Sequence, residues 1–350
     1  MNSTTTQTST ARVAWVDTLK FLGILAIYVG HFKHTAGKLD EFVFIFHVPL
    51  FFFIAGFFVK PSTKTFLQII IQKSKQLLVP YLFFFCIYTL YIVLYYNVSF
   101  QRVLDMLADF CLGIRNTLPA NSLWFFTCLF FVTVLHAGIQ KITPHKWHHL
   151  VIAVVLHILI QVLPQHNPSQ QPSWIWNIDS ALYYYIYYIV GSMIFPWLNT
   201  SSATQSKTTI ISSWLLFIVG IFIAIILYIN GRDASTLWLI DYVGTHPSLT
   251  QIIVNVGKLI NAFILIFILI KLAKIMSPIP FLNKLGQETL VFCGTENLFK
   301  IAVMHLLNSF SVKLPLHGAF STLIYSLILL ICSYFILGKP LNKFAPTLLG

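Results

Sequence analysis

The sequence predicts an all-α bundle of about ten membrane-spanning helices, and three observations lead to that fold class. Hydrophobic residues make up 57% of the 350 residues and charged residues only 9%, whereas roughly 25% are charged in a typical soluble domain. The mean hydropathy is +0.80. Apolar runs of about 20 residues, long enough to cross the hydrocarbon core, recur along the chain. Helices are the expected spanning form because each satisfies its backbone hydrogen bonds internally.

Short polar connections divide the chain into a polar N-terminal tail (1–12), one transmembrane domain (13–337) and a short C-terminal tail (338–350). No small-residue cleavage pattern follows the first apolar run, so we expect it to be a retained span. Pro49 lies inside the second span and predicts a kink there. The ten predicted spans are 13–33, 42–59, 77–96, 121–140, 148–164, 178–198, 210–229, 251–273, 287–307 and 319–337.

The basic residues predict the orientation of these spans. Most lysines and arginines outside the spans fall on the side of the N-terminus when the spans are threaded in order, which predicts that both termini are cytoplasmic. The net charge of +12 is spread over short connections. It is not clustered with aromatic residues, so we expect no nucleic-acid partner. The five cysteines show no paired spacing and predict neither a disulfide framework nor a metal site.

The first span, in "DTLKFLGILAIYVGHF", carries three residues that a simple anchor does not need: Asp17, Lys20 and His31. Charged groups in hydrocarbon cost several kcal/mol unless they face a partner or water, so each is a functional candidate. At about 100° per residue all three lie on one helix face. Lys20 and His31 are separated by roughly 16 Å along the axis. They are therefore expected to contact two ends of one long molecule, or two different molecules.

Further polar residues are predicted at both ends of this face. The second span runs inward from its outer end and the fourth begins outside, which places four side chains at the depth of His31: His47, Asn121, Ser122 and Trp124. Four lysines of the first cytoplasmic connection lie at the other end: Lys60, Lys64, Lys73 and Lys75. This arrangement favours an elongated anionic donor held from inside, with chemistry nearer the outside.

Simpler interpretations remain open for each residue. Asp17 and Lys20 are also consistent with an interfacial ion pair. His31 is consistent with a cap at the helix end, and His47 with a bond to a carbonyl freed by the kink. Trp124 is typical of an interfacial aromatic belt, and the lysines of the first connection are also consistent with a role only in setting topology.

The later spans contain weaker candidates. Glu296 lies in the ninth span, where Lys300 or Lys258 is a possible partner, and a structural ion pair and a site carboxylate fit equally well. The eighth span carries a polar stripe: Gln251, Asn255, Lys258 and Asn261. Five histidines near loops are interpreted as solvated: His136, His145, His148, His149 and His166.

Five stretches, in order along the chain, carry a family resemblance. They are "WVDTLKFLGILAIYVGHF", "FIFHVPLFFFIAGFF", "KSKQLLVPYLFFF", "SLWFFTCLFFV" and "LGQETLVFCGTEN". Together they resemble the membrane-bound acyltransferase family 3, which includes O-acetylases of polysaccharides and related sugar acetylases. The resemblance implies that His31 is the catalytic histidine and Lys20 the paired basic residue. Relatives often have a histidine where this chain has Glu296, so the role of that position does not carry over directly.

The resulting hypothesis is acyl transfer, with acetyl-CoA as donor and a carbohydrate or glycolipid hydroxyl as acceptor, in a multi-pass protein of a bacterial plasma membrane. Lys20, Lys60, Lys73 and Lys75 would bind the CoA phosphates, and His31 would accept the proton of the acceptor. Possible support comes from Asp17, His47, Asn121, Trp124 and Glu296. No metal is expected. A transporter or flippase for an anionic sugar is the main alternative, although no repeated halves are visible. A non-catalytic scaffold is the third.

Overall fold

The computed structural model describes residues 12–60, 63–118, 121–163, 168–169, 171–200, 206–231, 247–311 and 318–344. These parts of the chain form helices and connections, and they contain no β-strand. The α-helices are α1 (Ala14–Gly30), α2 (Lys38–Phe44), α3 (His47–Gly56), α4 (Phe66–Lys73), α5 (Val79–Tyr96), α6 (Phe100–Leu112), α7 (Trp124–Ile142), α8 (Lys146–Val162), α9 (Ile178–Leu198), α10 (Lys207–Asn230), α11 (Pro247–Met276), α12 (Pro280–Gln287), α13 (Thr289–Ser309), α14 (Gly318–Ser333) and α15 (Lys339–Phe344).

Eight helical runs in the described residues are long and apolar enough to cross a membrane. They are Lys38–Gly56, Phe66–Tyr96, Trp124–Ile142, Ile175–Leu198, Thr208–Asn230, Ile253–Met276, Thr289–Ser309 and Gly318–Phe344. The first and fifth predicted spans correspond to α1 and α8, which have 17 residues each. A helix therefore occurs at each of the ten predicted places. The prediction of an all-α polytopic membrane bundle is confirmed.

The second span is broken where the sequence predicts a kink. α2 ends at Phe44, and α3 begins at His47. The break comes just before Pro49, which has no backbone N–H to donate to the preceding turn. His47 Nδ1 lies 2.8 Å from the carbonyl oxygen of Val43 and donates to it. The side chain thus replaces a backbone donor at the break, as one of the open interpretations of His47 anticipated.

Two π-helical turns lengthen other spans. They are Ser74–Leu78, between α4 and α5, and Tyr334–Gly338, between α14 and α15. Each ends two residues before a proline, Pro80 or Pro340. A proline ring crowds the carbonyl of the preceding turn, and a wider turn relieves that contact. Both runs consequently extend beyond the predicted spans, and the last continues as helix through residue 344, inside the predicted C-terminal tail.

The two ends of the described chain meet on one side of the bundle. Near the start of α1, the backbone of Asp17 packs against Gly286 at the end of α12. Near the end of α15, the Asn342 amide donates to the carboxylate of Glu288, next to α12. Burial raises the pKa of Glu288 above its usual value, and the bond from Asn342 opposes that shift. This arrangement agrees with an even number of crossings. The cytoplasmic assignment of that side remains the prediction of the basic residues.

Close helix packing fixes the position of α3 beside the site. A Cβ atom added to Gly56 of α3 would lie 2.1 Å from the carbonyl oxygen of Tyr188 in α9, and one added to Gly191 would lie 2.0 Å from that of Phe53. Neither position has room for a side chain. Small residues allow backbones to approach this closely within a bilayer, where packing drives helix association. α3 is therefore held rigidly against α9.

Candidate functional site

A cavity of about 300 Å³ lies between α1, α3, the start of α7 and the junction of α12 with α13. Its wall is largely apolar and rich in phenylalanine. α1 contributes four residues at helical spacing: Lys20, Ile24, Ile27 and His31. The cavity thus follows one face of α1 from the lysine to the histidine. The structure places both residues, separated by roughly 16 Å of helix rise, along the same cavity.

The two ends of this cavity are named after the predicted orientation, the outer end at His31 and the inner end at Lys20. At the outer end, a buried carboxylate holds the imidazole of His31. His31 Nδ1 lies 2.8 Å from Glu296 Oε2, and the two side chains are 28% and 3% exposed. A carboxylate accepts, so Nδ1 carries the hydrogen of this bond. Nε2 is then the nitrogen available to a molecule in the cavity. Glu296 thus bonds a side chain of another span, and that side chain itself lines the cavity.

The same helix also holds the backbone of His31. Lys300 lies one turn after Glu296, and its Nζ donates to the carbonyl oxygen of His31. That carbonyl belongs to the residue that ends α1, where a cation is favourable. α13 therefore contacts His31 at both its side chain and its backbone, so the ring is fixed in position and in orientation.

His47 lies in the wall of the same cavity. Because Nδ1 of this buried imidazole donates to Val43, a neutral ring presents Nε2 as an acceptor. His47 can therefore accept a hydrogen bond from a molecule in the cavity, in addition to its structural role at the break between α2 and α3.

Trp124, the first residue of α7, forms part of the cavity wall and is buried, so it does not lie in a lipid-facing aromatic belt. The guanidinium of Arg115 stacks over its ring at 4.7 Å. The backbone of Arg115 is held by Asn177, whose side-chain oxygen accepts from the Arg115 backbone N–H at 2.7 Å. Asn121 begins the 3₁₀ turn that leads into α7, but its side chain lies outside the described part of the chain.

The inner end of the cavity is built from charged groups. Asp17 is buried beside the cavity and accepts from Lys20 Nζ, Arg12 Nε and Gln287 Nε2, each at 3.3 Å. The predicted pair of Asp17 and Lys20 is therefore present. Its lysine nevertheless reaches the cavity, where Nζ also lies 5.2 Å from the ring centroid of Phe58. Asp17 acts on the cavity through Lys20 and Gln287.

The other predicted cofactor-binding lysines lie outside the cavity wall. Lys60 and Lys75 are exposed, and Lys73 Nζ is 3.3 Å from Gln76 Oε1. Lys60 follows Phe58, which lines the inner end. Among the described lysines only Lys20 lines the cavity, so the others are placed to contact only the part of a ligand that protrudes from it.

The structure adds residues that sequence reasoning did not select. Gln287 and Cys293 line the cavity. No spacing rule selects them, because one ends α12 and the other lies in the second turn of α13, and only the fold brings them together. Ser122, which the sequence places at the depth of His31, lines the cavity as well. Two histidines correct an expectation: His136 and His149 are buried between α7, α8 and α9, and not solvated.

Comparison with known proteins gives one finding. The model of acyltransferase family 3, described as an acyltransferase domain, matches residues 13–338, which run from the start of α1 to the end of the last π-helical turn. Neither the curated proteins nor the solved structures gave a match.

Proposed function

This chain belongs to acyltransferase family 3, and we propose that it transfers an acetyl or other short acyl group from acyl-CoA to a hydroxyl of a cell-surface carbohydrate or lipid-linked glycan. As a multi-pass member of that family it is a membrane acyltransferase. The observation that carries the finer proposal is the single cavity with a cation at one end and a carboxylate-held imidazole at the other.

The outer end supplies a general base. The acceptor oxygen attacks the thioester carbonyl carbon while its proton passes to His31 Nε2. The carbon–sulfur bond then breaks, and the departing sulfur takes that proton, giving the ester and free CoA. Glu296 keeps the imidazole in the tautomer that exposes Nε2 and stabilises the positive charge that develops on it. In this arrangement a carboxylate orients the histidine that acts as the general base.

The inner end supplies the donor site. CoA carries phosphates, and Lys20 is a cation in the cavity wall, with Lys60, Lys73 and Lys75 as further candidates outside it. The apolar walls suit an extended, weakly polar arm between the phosphates and the thioester. A distance of roughly 16 Å along the helix axis between Lys20 and His31 separates the residue that binds the donor phosphates from the residue that accepts the proton.

The acceptor is proposed from the position of His31 at the outer end. With both termini cytoplasmic, CoA would enter from the cytoplasm of a bacterial cell, and a carbohydrate or glycolipid would approach His31 from the opposite leaflet. Such a protein would modify glycans of the cell envelope at the plasma membrane.

The test is acetyl transfer by the purified protein in lipid nanodiscs. Isotope-labelled acetyl-CoA is offered with a panel of oligosaccharides and lipid-linked glycans, and the products are identified by mass spectrometry. We expect a labelled ester on a hydroxyl of at least one glycan class. Movement of a glycan across proteoliposomes with no use of acetyl-CoA would instead support the transporter. Absence of any acyl transfer from a panel of acyl-CoA donors would overturn the proposal.

A further inference from the structure

Ser122, a residue of the cavity wall, carries a buried hydroxyl with no hydrogen-bond partner in the described part of the protein. It belongs to the 3₁₀ turn Asn121–Leu123 that precedes α7, and it is only 7% exposed. Leaving a buried hydroxyl unpaired costs folding free energy, so such positions are rare unless they have a function. A ligand that accepts a hydrogen bond from Ser122 would satisfy this hydroxyl.

A short segment of α13 lies close to both Ser122 and the reacting histidine. Cys293 Sγ lies 3.8 Å from the carbonyl oxygen of Ser122, and Cys293 is one helical turn before Glu296. Glu296 in turn holds His31. One short stretch of α13 thus contacts both the backbone of Ser122 and the imidazole of His31, which puts the two side chains at neighbouring depths in one cavity.

Most other hydrogen-bond donors of the cavity wall already have an acceptor. The donor and acceptor residues are His31 and Glu296, His47 and Val43, Thr289 and Gly286, and Cys293 and Ser122. Lys20 lies at the far end. Because His31 and His47 each present an acceptor nitrogen to the cavity, neither neutral ring can stabilise a negative oxygen. Ser122 Oγ–H is a hydroxyl donor at the reacting end with no other bond to make, and Trp124 offers the remaining candidate N–H there.

We infer that Ser122 is a catalytic residue whose hydroxyl donates to the thioester carbonyl oxygen, an assignment that rests on the proposed acyl transfer. When the acceptor oxygen bonds to the carbonyl carbon, the carbonyl π pair moves onto that oxygen, and the Ser122 hydrogen bond stabilises the resulting oxyanion. The pair returns when the carbon–sulfur bond breaks. Ser122 keeps its proton throughout and forms no covalent bond to the acyl group. Donors of this kind act mainly on the transition state.

The experiment compares Ser122→Ala with wild-type protein in nanodiscs, with acetyl-CoA and the glycan that wild-type protein acetylates. We expect kcat to fall about 10²-fold while KM for acetyl-CoA changes little, as for loss of one oxyanion donor. The matched control is Ser326→Ala, because Ser326 is another buried serine with an unpaired hydroxyl but lies in α14, outside the cavity wall. Its kcat should equal that of wild-type protein.

A second pair covers the case in which Ser122→Ala does not fold. The side chains introduced by Ser122→Thr and Ser122→Val have nearly the same shape, but only the first has a hydroxyl. We expect kcat of Ser122→Thr to be about 10²-fold higher than that of Ser122→Val. Equal rates would overturn the inference. So would an acetyl group trapped on Ser122, a change confined to KM, or a loss of kcat in Trp124→Phe that Ser122→Ala does not share. Failure of wild-type protein to transfer acetyl would count against the proposed function itself.

Discussion

The two ends of the cavity are built in different ways. At the outer end, directional contacts hold one imidazole: Glu296 bonds its Nδ1, and Lys300 bonds the carbonyl of the same residue. At the inner end, the contacts around Asp17 are longer, at 3.3 Å, and its partner Arg12 is largely exposed. The first arrangement fixes geometry, as proton transfer requires. The second presents positive charge to a ligand without fixing a single pose.

This difference predicts which property each end controls. Substitutions at the outer end should lower kcat, because they disturb groups that act on the reacting atoms. Substitutions at the inner end should weaken donor binding, because a charge contributes to ground state and transition state alike. Four substitutions, from the largest expected effect to the smallest, test this split between turnover and donor binding and the packing that supports the inner end.

His31→Ala removes the general base. We expect kcat for acetyl transfer to fall about 10³-fold or more, within the range for general-base loss, with normal expression and membrane insertion. Steady-state kinetics with the acetylated glycan measure the change. The control is His145→Ala, an exposed histidine beside α8. Normal turnover in His31→Ala would remove this residue from the chemistry.

Glu296→Gln keeps the shape of the side chain but removes its charge. The amide no longer enforces the tautomer that exposes Nε2, so kcat should fall about 10²-fold, less than for loss of the imidazole. Glu288→Gln is the matched control, because Glu288 is another buried carboxylate whose side chain bonds Asn342 and does not line the cavity. Equal effects of the two substitutions would argue against an orienting role for Glu296.

Gly286→Ala tests the packing that places Lys20 and Gln287. The added Cβ would lie 1.7 Å from the carbonyl oxygen of Asp17, so α1 and α12 must move apart. Overpacking of this kind costs about 2 kcal/mol, which should lower the unfolding temperature in detergent by about 5 °C. Gly138→Ala is the control, since its Cβ would meet only a Phe66 ring atom at 3.8 Å. Equal melting temperatures for the two variants would contradict the close approach.

Lys20→Gln removes the cavity's cation while leaving an amide that can donate to Asp17. We expect KM for acetyl-CoA to rise about tenfold, which is about 1.4 kcal/mol, with kcat nearly unchanged. The effect should shrink at high salt because screening weakens charge contacts. Lys146→Gln, an exposed lysine at the start of α8, serves as the control. A fall in kcat without a change in KM would place Lys20 in the chemistry.

Much of the fold follows from local sequence. The spans are set by hydropathy, and the shared face of Lys20 and His31 follows from helical periodicity alone. The break before His47 and the π-helical turns before Pro80 and Pro340 were harder to foresee. Proline signals a disturbance, but the neighbouring packing decides whether the helix kinks, breaks or widens.

The partner of His31 could not be identified from spacing. Glu296 is 265 positions away in the sequence, and the sequence suggested Lys300 or Lys258 as its partner, whereas the fold places α13 beside the end of α1. The sequence places Ser122 at the depth of His31, but a serine ahead of an apolar helix is ordinary and gives no sign of a special role. Its unpaired hydroxyl becomes visible only when the surrounding side chains and their bonds are known.

Equilibrium binding of acetyl-CoA to His31→Ala and Lys20→Gln is the most direct test of the division between the two ends. We expect His31→Ala to bind acetyl-CoA with wild-type affinity and not to turn it over. We expect Lys20→Gln to bind acetyl-CoA about tenfold more weakly, yet to approach the wild-type rate when saturated. Loss of acetyl-CoA binding in His31→Ala, or loss of turnover in saturated Lys20→Gln, would contradict the division between the two ends.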